Sequence, residues 1–254
     1  MSIKNKYIDS FELFDKSCKN KKFLIRDAEL ERLERNLTKG DQVNNYFSKE
    51  KLSPLPTLFI GDLAPFLESL LPSTKLLIEP KIYGYSIALE YRNGTLKKAI
   101  TKEGNDVTCK IKQIQNIPSK IPIQRVFQIR GELYAPNHTA FFSRRIVVSF
   151  LRNKTAIPKN ISFCCFQILN SRLNQSEAKK FIEKFGFSIP NDIYCNYTSQ
   201  VQFFKKEFLD GRLFGEYPNN GIVIKINSRK LQLIRENTNL DYPYWQIAIE
   251  IQNQ

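Results

Sequence analysis

Along residues 76–101, LLIEPKIYGYSIALEYRNGTLKKAIT, the apolar and polar positions keep the two-residue rhythm of paired strands. Ile87, Leu89 and Tyr91 alternate with Ala88 and Glu90, which predicts a half-buried strand. Asn93-Gly94 predicts a two-residue hairpin turn, because both central residues of a type I′ turn need positive φ. Residues 96–100 are then the returning strand, and 76–82 the strand that delivers Lys81 into a turn at Gly84. Residues 126–134, 222–227 and 245–251 read as further strands.

Elsewhere the period is that of a helix. Leu30, Leu33 and Leu37 follow Asp27, a good N-cap, with Gly40 just past the end and a Glu31–Arg35 pair at i,i+4. Ala178, Phe181, Ile182 and Phe185 predict a helix stopping at Gly186. Val201, Phe204 and Phe208 predict another, running from Thr198 or Ser199 to Gly211. The run 144–154, RRIVVSFLRNK, reads as a strand with basic flanks. Residues 111–123, lysine-rich and broken by prolines, read as a surface segment. Strands grouped with intermittent helices predict an α+β domain.

The chain has 254 residues, enough for one sizeable core and a small appendage. Lys and Arg number 39 against 25 Asp and Glu, a net charge of +14, which favours a polyanionic partner, nucleic acid ahead of an anionic membrane. Residues 1–14 lack the apolar stretch of a signal peptide, and nowhere do about 18 apolar residues run together, so a cytoplasmic protein without a membrane segment is expected. Five scattered cysteines without a C-x-x-C pair argue against a disulfide framework and against zinc. They point to no metal site at all.

Candidate chemistry centres on Lys81. On pattern alone it fits either a nucleophile held between buried strands, near a glycine (Gly84) that lets a ligand approach the backbone, or a surface lysine at a strand end. Its context decides. Glu79-Pro80-Lys81-Ile82-Tyr83-Gly84 resembles the E-x-K-x-D-G motif of NAD-dependent DNA ligases. Asn105-Asp106-Val107-Thr108, Ile129-Arg130-Gly131-Glu132-Leu133 and Ser162-Phe163-Cys164-Cys165-Phe166 follow where that family has its next motifs. Residues 220–227, NGIVIKIN, resemble its D-G-V-V-I-K-V-N, and Tyr244-Trp245-Gln246-Ile247-Ala248-Ile249-Glu250 its R-W-A-I-A-Y-K. Six motifs in order over most of the chain identify a divergent, truncated relative.

The resemblance implies an ATP-grasp-like nucleotidyltransferase, or adenylation, domain at 73–254. A linker at 51–72 and a remnant of the helical NAD-recognition domain at 1–50 would precede it. Within that remnant, Leu30 and Glu31 replace the family's tyrosine and second aspartate. It implies that Lys81 takes AMP from NAD, with Mg2+, to seal nicked DNA in replication and repair. Glu79 would read adenine, Glu132 the ribose and Phe166 the base face, while Lys102, Arg152 and Lys225 would serve as nucleotide-binding cations. Outside the resemblance, Glu132 reads as a strand-end carboxylate and Phe166 as a core residue. Three positions depart from the pattern: Tyr83 and Asn220 replace aspartates, and Glu250 replaces the last lysine. The zinc, oligonucleotide-binding and helix-hairpin-helix modules of the family are not expected here. The alternative reading is a non-catalytic relative that binds nucleic acid or a nucleotide.

Overall fold

The computed structural model of the chain describes residues 27–37, 61–153, 155–169, 171–236 and 244–250. Its elements run α1 (Asp27–Asn36), α2 (Leu63–Glu68), β1 (Leu76–Ile82), β2 (Tyr85–Arg92), β3 (Thr95–Thr101), α3 (Thr108–Ile111), β4 (Phe127–Tyr134) and α4 (Ala140–Arg152). There follow β5 (Ser162–Ile168), α5 (Gln175–Lys184), β6 (Ile193–Cys195), α6 (Gln200–Leu209), β7 (Asn219–Ile226), α7 (Arg229–Glu236) and β8 (Gln246–Glu250). The strands form two antiparallel sheets, ordered β3-β2-β4-β5 and β6-β1-β7-β8. The fold is α+β, as the pattern predicts. None of the described helices is long and apolar enough to cross a membrane.

Local chemistry explains the first sheet. Asn93 (φ 48°) and Gly94 (φ 70°) make the β2–β3 turn with the positive φ pair expected of it. Behind this sheet, Leu89, Tyr91, Phe127, Ile129 and Phe163 join α5 residues Phe181 and Ile182 in one core. A second core, built on Leu76, Ile78, Ile224, Trp245 and Ile247, is closed by Leu63 and Phe66 of α2 and by Val201 and Phe208 of α6. Residues 61–72 thus contribute buried side chains to the domain. Leu37, just past α1, is buried in the first core; Arg172 N donates to Asn36 O at 2.8 Å, and Arg32 pairs with Glu177. Glu31 and Arg35 are both exposed, while Gly40 and the Leu30 and Leu33 side chains lie outside the described residues.

Three expectations are corrected. Residues 144–152 are helical, not extended, forming most of α4. The β-branched run Ile146-Val147-Val148 favours a strand locally. Burial of Ser143, Val147 and Phe150 at i, i+4 and i+7 shows the helical stripe that wins. Residues 111–123 are not a surface segment: Ile111, Ile114, Ile117, Ile121 and Ile123 are all buried, with Pro118 and Pro122 beside them, leaving Lys112 and Lys120 outside. Asn116 anchors the stretch, donating to Phe163 O at 2.8 Å and accepting from Phe163 N at 3.0 Å. Finally, Gly84 leaves no room for a ligand. A Cβ there would sit 1.8 Å from the Leu133 carbonyl oxygen, so glycine lets the β1–β2 connection press against β4.

Candidate active site

Antiparallel register places one set of side chains on the inner face of the second sheet. Glu79 lies opposite Val223 across β1 and β7; Lys225, Val223 and Gly221 lie opposite Gln246, Ala248 and Glu250 across β7 and β8. Directly opposed residues share a face, and alternation along β1 puts Lys81 beside Glu79. From the first sheet and α4, Tyr85, Ser86, Lys102, Arg130, Glu132, Phe166 and Arg144 close a cavity of about 210 Å3. Glu79, Lys81, Lys225 and Gln246 line it too. The cavity is a cleft between two sheets, with the Lys81 amine at one end and Glu79, Lys225 and Gln246 at the other.

Around Lys81 the three substituted positions converge. Its Nζ lies 2.7 Å from Glu250 Oε1, donates to Asn220 Oδ1 at 3.2 Å, and sits 5.6 Å from the centre of the Tyr83 ring. The Lys81 and Glu250 side chains are 16% and 33% exposed, so the ion pair is only partly screened by water. Arg144 lies 5.6 Å from the same Tyr83 ring and donates to Gly84 O at 3.1 Å. Gly221 allows this closeness: a Cβ on it would meet Ile249 O at 2.1 Å, blocking the β7–β8 contact that carries Glu250.

At the other end Glu79, 2% exposed, is clamped between two lysines. Its Oε1 accepts from Lys179 Nζ at 3.0 Å and its Oε2 from Lys225 Nζ at 2.6 Å. Burial alone would raise its pKa, but the two ammonium charges hold it below the ordinary value of 4.5. Lys179 also pairs with Asp192 and donates to Pro190 O at 2.9 Å, and its two carboxylates outweigh burial and push it up. Lys225 has only a share in Glu79, so burial pulls it down. Its Nζ also donates to Phe166 O at 3.2 Å and lies 5.1 Å from the Phe166 ring, which Arg130 approaches to 5.7 Å.

Glu132 accepts from Gly84 N at 3.2 Å. Burial pushes its carboxyl up to about 7, against the pull of Arg130, Lys81 and Arg144. Lys102 lines the cavity, half-exposed and 3.9 Å from Glu103. Arg152, in the last turn of α4, is exposed and does not line the cavity; its charge acts on the Tyr85 hydroxyl instead. Of the expected residues, Glu79, Lys81, Lys102, Glu132, Phe166 and Lys225 are therefore brought together, and Arg152 stays outside. Arg130, Arg144, Lys179 and Gln246 take part unannounced. Arg130 had a usable signal, since it stands two residues before Glu132 and so on the same face of β4.

Among the described residues no group of three or more His, Cys, Asp or Glu could hold a metal ion. Cys109, Cys164, Cys165 and Cys195 are free thiols, and Cys164 and Cys165 are buried.

Two antiparallel sheets enclosing a lysine-lined cleft are the fold of the ATP-dependent nucleic-acid ligases' nucleotidyltransferase domain. An archaeal ATP-dependent RNA ligase superposes with a TM-score of 0.51 at 12% identity, covering 77% of this chain and 48% of that one. The ATP-dependent DNA ligase of bacteriophage T7, in complex with ATP, gives 0.50 at 9% identity, covering 78% and 68%. At such identities the likeness is one of fold. Sequence narrows the class: residues 45–144 match the NAD-dependent DNA ligase adenylation domain. The DNA ligase of Metamycoplasma arthritidis is 27% identical over 261 residues, covering 80% of this chain and 39% of the relative. That of Petrotoga mobilis is 33% identical over 201 residues, covering 68% and 30%. The chain belongs with the NAD-dependent DNA ligases through their adenylation domain. It spans roughly a third of the length of these curated relatives.

Proposed function

We propose that this domain transfers AMP from NAD to Lys81 and that the adenylate then serves the sealing of nicked DNA. The observation that carries the reading is the position of the Lys81 amine at one end of a cleft whose walls hold Glu132, Phe166, Arg130 and Lys225. Lys81 attacks the α-phosphorus of the donor, its nitrogen–phosphorus bond forms, and nicotinamide mononucleotide leaves with the electron pair of the broken pyrophosphate bond. Arg130, Lys102 and Arg144 supply positive charge facing the phosphates. Phe166 offers a ring face to the base, and Glu132 accepts from ribose hydroxyls. Magnesium, in this reading, arrives on the phosphates, because the described residues assemble no carboxylate cluster for it. A net charge of +14 supports DNA as acceptor and suits a role in replication or repair in the cytoplasm. The helix α1, packed on the first core through Leu37, fits a remnant of an NAD-recognition domain.

A second reading is favoured by one specific contact. Glu250, 2.7 Å from Lys81 Nζ, occupies the amine and repels an incoming phosphate, as in a relative that binds nucleotide without covalent transfer. Intact mass after incubation with NAD and magnesium separates the two. A gain of one AMP, mapped to the peptide containing Lys81, is the expected result. Folded protein that gains no adduct from NAD or from ATP, beside an active ligase control, removes the covalent reading.

The ribose assignment makes its own prediction. Glu132, with its carboxyl raised to about 7, is mostly neutral at pH 6 and mostly ionised at pH 8. Hydroxyl donors favour the ionised form. Adenosine, which carries no phosphate to titrate, should therefore bind up to about tenfold more tightly at pH 8 than at pH 6. Glu132→Gln should flatten that profile; a calorimetric titration in which the variant keeps the wild-type slope removes Glu132 from the ribose site.

A further inference from the structure

At the end of the cleft away from Lys81, the groups that resemblance assigns to the base are already occupied. Both Glu79 oxygens are engaged by lysines, and Lys225 Nζ is spent on Glu79 and on Phe166 O. Gln246 is different. It lines the same cavity, it is 7% exposed, and its side-chain amide makes no hydrogen bond to any described residue. Its amide atoms are not among the buried polar atoms that lack a partner, so they open onto the cavity, where a ligand or water can pair with them. Its place is set by register, since Gln246 lies directly across from Lys225 and shares its face of the sheet. Four residues along the same face of β8 stands Glu250, beside Lys81. Four residues of strand span about 13 Å, roughly the length of an extended nucleoside monophosphate. The family pattern quoted above has alanine at this position, so the amide is an addition of this chain.

We propose that Gln246 reads the adenine edge in this site, a role that rests on the adenylate-binding reading above. The side chain carries one acceptor and a pair of donors in a plane. Its carbonyl oxygen accepts from the 6-amino group of the purine while its NH2 donates to the ring nitrogen N7, the bidentate pairing that a glutamine amide makes with adenine. A 6-oxo purine turns an acceptor toward the carbonyl oxygen and loses that pairing. Glu79, locked by Lys179 and Lys225, then acts as the rigid base of the subsite and orients Lys225 beneath the Phe166 ring.

Calorimetric titration of the intact chain with AMP and with IMP, which differ only at this edge, tests the assignment. The wild type should prefer AMP by about tenfold or more. Gln246→Met, close in volume but without the amide, should lose that preference by weakening AMP and leaving IMP unchanged. Gln246→Glu keeps the acceptor and the size but loses the donor. It should show an intermediate preference, and it serves where thermal unfolding shows the methionine variant to be unfolded. A wild type that binds IMP as tightly as AMP, or variants that keep the full preference, overturn the role of Gln246 while leaving nucleotide binding standing. A wild type that binds neither nucleotide overturns both the role and the adenylate reading beneath it.

Discussion

Glu250→Lys should accelerate the appearance of AMP on Lys81 by about 10- to 100-fold. Two unit charges about 4 Å apart interact by roughly 4 kcal/mol at an effective dielectric near 20. Glu250 is one-third exposed, and solvent reduces that figure to about 1–3 kcal/mol, hence the range in rate. The gain has two sources. The amine no longer has to leave a 2.7 Å ion pair before it reaches phosphorus, and a cation replaces an anion where the α-phosphate must sit. Glu250→Gln isolates the first source and should fall between the wild type and the lysine variant. Single-turnover mass spectrometry reads all three. Folded Glu250→Lys protein with no gain in rate would show that the obstacle to transfer lies elsewhere in the cleft.

The largest effect on stability is expected at Lys179, which stands behind the cavity wall, bonded to Glu79 and Pro190 without lining the cavity itself. Lys179→Met strips Glu79 of one of its two cations and Asp192 and Pro190 O of their donor. Breaking a buried ion pair from one side costs about 3–5 kcal/mol. In a domain of this size that lowers the melting temperature by about 10 °C. Glu79→Gln combined with Lys179→Met should cost less than the two changes summed, because the stranded carboxylate is then gone. The pH dependence has a definite sign. Glu79 is held below its ordinary 4.5, so its contribution is complete above that value and is lost as pH falls through the depressed one. The gap between wild type and Glu79→Gln should therefore narrow in acid. Melting curves that show Lys179→Met within about 1 °C of the wild type would mean that water reaches Glu79 freely.

How far the residues announced all this varies with the range of the interaction. The Asn93-Gly94 hairpin, the strand carrying Lys81 and the helix ending at Gly186 were legible, since each is decided within a few residues. The helix at 140–152 was not, because Ile146, Val147 and Val148 favour a strand until the sheet surface claims Ser143, Val147 and Phe150. The isoleucines between 111 and 123 were obscured by outward-facing lysines and by prolines that suggest turns although they are buried alongside them. At the site, motif order pointed to Lys81, Glu132 and Lys225. Lys179 was hidden although Gln175, Lys179 and Ile182 occupy one buried stripe of α5, where a lone lysine implies a carboxylate waiting elsewhere. That carboxylate is 100 residues away.

The two sheets differ in how far apart their strands lie along the chain. The strands β2, β3, β4 and β5 pair mostly with near neighbours in sequence, whereas β1 pairs with strands that begin more than 100 residues later. Local pairings close quickly and distant ones late. During synthesis the first sheet and its hydrophobic core have all their strands by residue 168. Lys81, made early, waits on a strand that has no partner until β6 emerges, and none at its own end until β7 follows. Asn220, Glu250 and Gln246 join it only with β7 and β8, so a ribosome-bound chain carries Lys81 long before it carries the carboxylate that pairs with it.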